Sequence, residues 1–254
     1  MNNIKDKNKS YYHAHESAYK SIKQNGQVGW GNVKTIEELG DDQTKEYLRL
    51  SVKNWISLPA GKKALDLGCG TGTTAFVLSK LGFEVWGIDI SETAIEMAND
   101  LAIKQNLKIN FSNADILELG LLNEKFHLIY DSHCLHCIVF EDDRMKVLNG
   151  IYESMLPSGR FILDTMVIEE DFNSSFGFPT LRFDENYILW HKTNNSDLRG
   201  VVKLQEQEWC PQRRIYPSMK IIEEVHSAGF TILDKKLDKQ EEGEPWMLRL
   251  VLGK

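Results

Sequence analysis

Ala64-Leu65-Asp66-Leu67-Gly68-Cys69-Gly70-Thr71-Gly72 is the stretch on which the fold turns. Its first four residues form a short apolar run, the pattern of a buried strand, and the run breaks into a glycine cluster. Glycines at that point let the backbone turn sharply and come close to a ligand. The free N–H groups at the start of a following helix favour a negatively charged group. A dinucleotide fingerprint needs glycine three residues beyond Gly70, where helix packs on strand. Thr73 stands there and the third glycine comes one position early, at Gly72, which argues against NAD.

Outward from this loop the chain alternates. A helix is expected over 73–80, a strand over 83–89 and a helix over 91–105 with Ser91 as its N-cap. Strands follow near 108–112, 126–131 and 160–166, with a helix over 141–156 whose Met145, Leu148, Tyr152 and Met155 share a face. Such βαβ repetition means a parallel sheet covered on both sides. Before the loop, Leu48, Val52, Trp55 and Ile56 fall on one helical face in a segment opened by Asp41-Asp42, and this helix leads to the turn Pro59-Ala60-Gly61. The first ten residues are polar and expected to fray. Residues 168–214 lose the helical pattern and carry Phe172, Phe176, Phe178, Phe183, Tyr187, Trp190 and Trp209, so they read as an insertion of antiparallel strands. Pro217 suits the first turn of a helix carrying Ile221, Ile222 and Val225 and closed by Gly229. Strands over 230–237 and 246–252 finish the sheet.

A chain of 254 residues allows one large domain or two small ones, at about 150 residues per domain. Hydrophobic residues at 42% and charged residues at 26% exclude disordered and fibrous classes. No apolar run reaches the roughly 18 residues that cross a bilayer, and the start lacks the apolar stretch of a signal peptide. A cytoplasmic protein without a membrane partner is expected. Thirty Lys and Arg against thirty-seven Asp and Glu leave a net charge of -7, with no dense basic run, which disfavours nucleic acid as a partner. Cys69, Cys134, Cys137 and Cys210 are too sparse for a disulfide framework and read as reduced thiols.

Asp89 closes the second strand, nineteen residues beyond Gly70. A carboxylate there accepts both hydrogens of a ribose diol. Asn113-Ala114-Asp115-Ile116 closes the third strand with a second acid beside an apolar side chain, suited to an exocyclic amino group and the flat face of adenine. The expected ligand is an adenosine compound with a small head group.

Together these residues resemble the class I S-adenosylmethionine-dependent methyltransferases, from about Ala64 to Phe230. ALDLGCGTG is similar to the first motif of that family, VWGIDIS to the second, NADI to the third and FHLIYDSHCLHCI to the fourth. SMLPSGRFIL is similar to the Leu-x-Pro-Gly-Gly turn before the fifth strand, with Ser158 and Arg160 as departures remote from the cofactor. The resemblance implies an α/β fold: a doubly wound, seven-stranded, mostly parallel sheet with its last strand antiparallel, plus N-terminal helices and the antiparallel β insertion. It implies S-adenosyl-L-methionine as cofactor and S-adenosyl-L-homocysteine as product. Asp66, Gly68 and Gly70 would hold the methionine part, Asp89 the ribose and Asp115 the adenine. Cys69, Ile90, Ala114, Ile116 and Asp131 complete the implied cofactor-binding set.

His133, directly after the fourth strand, stands at the edge that faces the transferred methyl group and is the candidate general base, with a wall of the cofactor pocket as its other reading. His136 reads as a packing or backbone-bonding histidine, and Cys134 and Cys137 as small buried apolar side chains. These four have zinc-ligand chemistry, but within one turn-rich segment they cannot surround an ion and no second pair lies at ligand spacing, so no metal is expected. Tyr11, Tyr12, Tyr19 and Trp30 suggest a lid, made mobile by Gly26, Gly29 and Gly31, or packing on the sheet edge. The domain reading is therefore a helical lid over residues 1–58 and a core over 59–254 with a substrate cap at 168–214. Trp30, His133, Asp164, Trp190 and Trp209 are the candidate substrate contacts, and Asp184, Glu185, Glu206 and Glu208 suggest a cationic substrate. The expected function is methyl transfer to an oxygen or nitrogen of a small molecule by a monomer or homodimer. The rivals are a protein or peptide methyltransferase and a catalytically silent cofactor-binding module.

Overall fold

The computed structural model describes residues 8–40, 42–170, 181–240 and 245–254. Expectations that fall on residues 1–7, on Asp41 and on Phe172, Phe176 and Phe178 lie outside the described residues. Two helices, α1 (Ser10–Gln24) and α2 (Asp42–Trp55), precede the sheet. Then come β1 (Lys63–Leu67), α3 (Thr73–Lys80), β2 (Glu84–Asp89), α4 (Glu92–Lys104), β3 (Ile109–Asn113), β4 (Phe126–Ser132), α5 (Glu141–Ser154) and β5 (Met155–Val167). A second run holds β6 (Leu181–Phe183), β7 (Ile188–Thr193), β8 (Val202–Leu204) and β9 (Gln207–Arg214). The chain ends with α6 (Ser218–Ser227), β10 (Thr231–Asp238) and β11 (Trp246–Gly253).

The main sheet has seven strands in the order β10-β11-β5-β4-β1-β2-β3, with β11 antiparallel to both neighbours. β1 pairs in parallel with β2 on one side and β4 on the other. The chain builds outward from β1 to β3 and then returns to lay β4 on β1's other edge. Connections from adjacent strands therefore leave in opposite directions between β1 and β4, opening a crevice at their carboxyl ends.

Side chains alternate across each central strand and build two core layers. Ala64, Leu128, Tyr130, Ile162 and Val251 pack with Leu48, Val52 and Leu78 of α2 and α3. Leu65, Leu67, Ile129, Leu163 and Leu250 pack with Val147, Leu148 and Ile151 of α5 and with Ile221 and Val225 of α6. Each such fully buried aliphatic side chain contributes about 1.5–3 kcal/mol, which holds the strand ends in place.

Two boundaries differ from expectation. β5 begins at Met155 rather than near 160, because Phe126 pairs with Met155 while Leu128 pairs with Arg160, and the irregularity absorbs the Pro157–Gly159 turn into the strand. Pro217 is the N-cap of α6, not a residue of its first turn, with φ -57 and ψ 152. Ser91 does cap α4, its hydroxyl accepting from the Ala94 N–H at 3.0 Å.

The insertion forms an antiparallel sheet in the order β6-β7-β9-β8. An isolated bridge between Ile168 and Pro217 brings its two ends together. β9 also meets α1, where the Ser10 hydroxyl donates to the Pro211 carbonyl at 3.1 Å.

Candidate functional site

The carboxyl ends of β1 to β4 surround a cavity of about 600 Å³. Gly68 and Gly70 lie at φ +61 and +53, a region that favours glycine. A Cβ on Gly68 would meet Cys134 Sγ at 2.5 Å, and one on Gly70 would collide with the Tyr19 hydroxyl. The loop is thus bare backbone because two other elements press against it.

Asp89 is buried, and its two oxygens accept the Gly70 N–H at 2.9 Å and the Ser91 N–H at 2.8 Å. Burial pushes its carboxyl above the usual range, against those two amide bonds. Asp115 accepts from Lys9 Nζ at 2.5 Å, the Tyr11 hydroxyl at 3.0 Å and the Leu117 N–H at 3.0 Å. The second acid is therefore already tied to the N-terminal helix. Asp66 is fully buried beneath the loop, where it accepts from the Thr74 hydroxyl at 2.9 Å and the Ala75 N–H at 2.8 Å. Burial pushes its carboxyl up to about 7 against these bonds.

Helix α1 lies across the opening with Tyr11, His15 and Tyr19 on the cavity wall, each one helical turn from the next. Trp30 donates its Nε1–H to the Tyr19 hydroxyl at 2.8 Å and stacks edge-on at 5.5 Å. Glu16, on the same helix, accepts from the hydroxyls of Ser91 and Thr93 at the start of α4.

Ser132, His133, His136 and Cys137 line the same cavity. His133 has φ +67, unusual for a residue with a Cβ, and its ring lies edge-on to His136 at 5.9 Å. Its Nδ1 is 3.1 Å from Ser132 Oγ. His136 is buried with Nδ1 3.4 Å from Thr165 Oγ1. His15 donates Nδ1–H to the Tyr11 carbonyl at 2.7 Å, which turns Nε2 toward Cys137 Sγ at 3.8 Å. Burial alone would lower the His15 pKa and raise that of Cys137. Neighbouring charges reverse both: Cys137 holds His15 up at about 9, and His136, with His15 second, draws the Cys137 thiol well below its usual value. Cys137 is thus buried as expected, but in a polar pairing rather than as a passive apolar side chain.

Of the residues singled out from sequence, Trp30, Gly68, Cys69, Gly70, Asp89, Ile90, Asp115, Ile116 and His133 line this one cavity. Asp66, Ala114 and Asp131 do not. Asp131 accepts the N–H groups of Cys134 at 2.8 Å and Leu135 at 3.0 Å, and so shapes the turn that carries His133. Asp164 is fully buried, is paired with Arg249 Nε at 3.1 Å and does not line the cavity. Trp190 and Trp209 stay within the insertion. Trp190 donates to Asp184 at 2.9 Å, and Trp209 lies under Arg182 and Lys192. Asp184, Glu185, Glu206 and Glu208 line no part of the cavity either; Asp184 and Glu208 bind within the insertion. The sequence reading missed His15 as a site residue, although its spacing of four from both Tyr11 and Tyr19 is visible in the chain. It also missed Glu16 and Arg213. Among the described residues no group of three or more His, Cys, Asp or Glu is arranged to hold a metal ion. Among them, too, no helix is long and apolar enough to cross a membrane.

A glycine loop at the switch point, with acids closing the next two strands, defines the class I S-adenosylmethionine-dependent methyltransferase fold. A family model described as "Methyltransferase domain" matches residues 58–224, and the chain belongs to that family. It is 28% identical over 166 residues to an S-adenosyl-L-methionine-dependent Diels-Alderase of Talaromyces variabilis, covering 61% of this chain and 54% of that protein. It is 31% identical over 128 residues to an O-methyltransferase of Pyrenophora dematioidea, covering 49% of this chain and 47% of that one. The chain thus spans about half the length of these curated relatives. Among solved structures it is similar to the 1,6-didemethyltoxoflavin-N1-methyltransferase of Burkholderia thailandensis, with bound 1,6-didemethyltoxoflavin and S-adenosylhomocysteine. That likeness has a TM-score of 0.60 and 20% identity, covering 95% of this chain and 88% of that one.

Proposed function

We propose that this cavity binds S-adenosylmethionine and that the chain transfers the cofactor's methyl group to an oxygen or nitrogen of a small molecule. The observation that carries the reading is the convergence of Asp89, Asp115 and the bare Gly68–Gly70 backbone on one cavity that His133, His136 and His15 also line. The donor set fits the cofactor: carboxylates for the ribose diol and the adenine amino group, Ile90 and Ile116 for the ring faces, and backbone N–H groups for the methionine carboxylate. The bound cofactor supplies a methyl group on a sulfonium, itself a good leaving group.

The chain then has three tasks. Strand ends fixed by the two core layers align the acceptor with the methyl group. Helix α1, with Tyr11, Tyr19 and Trp30, excludes water, and residues 1–58 act as the lid on a core spanning 59–254. Residues 168–214 cap the substrate side. His133 takes the proton of a hydroxyl or amine acceptor, its ring held beside Ser132 at the edge facing the acceptor. The small-molecule reading draws support from the named substrate of the Burkholderia enzyme and from the name of the Pyrenophora relative.

Incubation with methyl-labelled S-adenosylmethionine and a cell extract split by size tests the reading. Label is expected in the small-molecule fraction. Label in protein would instead favour a peptide acceptor, and cofactor binding without transfer a catalytically silent module.

A further inference from the structure

A second chamber of about 240 Å³ lies between α1 and the β7–β9 face of the insertion. Tyr11, His15, Trp30, Cys137 and Arg213 line both it and the main cavity, so the two are neighbouring compartments of one space. Arg213, at the end of β9, is the cation at this junction.

Its Nε is buried and has no hydrogen-bond partner, and among the described residues it forms no ion pair. Two other arginines have an unpartnered Nε, but their outer nitrogens are engaged. Arg160 donates to the Ser158 and Gly159 carbonyls, and Arg214 to Glu141 and the Tyr216 hydroxyl. Arg144 and Arg249 are buried in full ion pairs. Arg213 alone in this group offers a free guanidinium to a cavity. A buried N–H without a partner is costly, and a ligand oxygen that accepts from it offsets that cost.

We propose that Arg213 binds a carboxylate of the substrate, so that the methyl acceptor is a small organic acid. The inference rests on the small-molecule reading above and names its substrate class. Nε–H and a neighbouring Nη–H form a planar fork that matches the two oxygens of a carboxylate. One guanidinium balances one negative charge; a phosphate dianion asks for a second unpaired cation, and His15, which also lines the side chamber, is already paired with Cys137. An acid held at Arg213 shares its compartment with Tyr11, Trp30 and Cys137, and that compartment adjoins the cavity that His133 lines, where the acceptor atom belongs. The sign is opposite to the cationic substrate suggested by the insertion's carboxylates, because those point away from the cavity and Arg213 does not.

The test compares 4-hydroxybenzoate with 4-hydroxybenzamide, probes of equal shape and different charge. Binding to the full chain, with and without S-adenosylhomocysteine, is read by ligand-observed NMR for the parent, Arg213→Gln and Arg213→Lys. The parent is expected to prefer the acid by about tenfold or more, Arg213→Gln to lose that preference, and Arg213→Lys to keep part of it. Affinity for S-adenosylhomocysteine should be equal in all three, which also reports their folding. Peptide mapping of phenylglyoxal modification gives a second readout, in which the acid and not the amide protects Arg213. Equal binding of acid and amide by the parent, a preference that survives in Arg213→Gln, or no binding of either probe overturns the proposal. Acid preference that depends on Arg213 in a chain that fails to bind S-adenosylhomocysteine would uphold it while overturning the methyl-transfer reading.

Discussion

Glu16 of α1 and Ser91 at the N-cap of α4 are joined by a 2.7 Å hydrogen bond, with Thr93 adding a second at 2.7 Å. Seventy-five residues separate Glu16 from Ser91, and the bond fixes α1 to the turn that directly follows Asp89. The carboxylate also sits at the positive end of α4, where the helix dipole favours it. The seating of α1 and the position of Asp89 are therefore parts of one arrangement.

Glu16→Gln is expected to loosen α1 and to lower stability at pH 7 by about 1.5–3 kcal/mol, the scale of hydrogen bonds to a charged group. Those bonds outweigh burial and hold the Glu16 pKa down at about 2, against an ordinary 4.5. A depressed carboxylate stabilises the folded state fully above its unfolded value. The gap between parent and variant should therefore be constant above about pH 4.5 and close as the pH falls toward 2. Hydrogen exchange of the α1 amides and urea denaturation across that range measure it.

Asp89→Ala is expected to weaken S-adenosylmethionine binding by about 1.5–3 kcal/mol in titration calorimetry. The same carboxylate fastens Gly70 and Ser91, so part of the loss is a looser glycine loop. Asp89→Asn keeps one acceptor oxygen and should fall between the two. Unchanged affinity in both variants would place the ribose elsewhere.

Cys137 should be the first cysteine alkylated by iodoacetamide at pH 7. Burial raises the thiols of Cys69 and Cys134 well above the ordinary value, whereas His136 and His15 draw Cys137 well below it. Its labelling rate should fall less steeply from pH 8 to pH 6 than that of an ordinary thiol, which slows about tenfold per unit. His15→Asn should steepen that dependence only in part, because His136 stays beside the thiol, as followed by mass spectrometry of the labelled peptides.

Arg249→Met is expected to cost about 3–5 kcal/mol in urea denaturation, because it leaves Asp164 charged and buried without its partner. Asp164 would keep only the hydroxyls of Thr44 at 3.2 Å and Tyr130 at 3.5 Å. Adding Asp164→Asn removes the stranded charge and should recover part of the loss, a non-additivity that a double-mutant cycle reads directly.

The chain by itself determined the alternation of strands and helices, the glycine turn after β1 and the acids closing β2 and β3, because these are local. Period and turn chemistry act within a few residues, and a strand end in a doubly wound sheet has only one place to deliver its acid. Tertiary structure decided which side chains face the cavity. Asp164 is an acid at a strand end like Asp89, yet Arg249 of β11 takes it into a buried pair, and no local pattern marks that partner. Trp190 and Trp209 carry the composition of a substrate wall, but β7 and β9 turn them to Asp184, Arg182 and Lys192. Arg213 and Arg214 are adjacent, and alternation sends them to opposite faces of β9. Arg214 meets Glu141, seventy-three residues away, while Arg213 reaches the cavity with its charge unanswered. The difference lies in what long-range packing brings opposite each guanidinium, because the free energy of a buried charge is set by its neighbours in space.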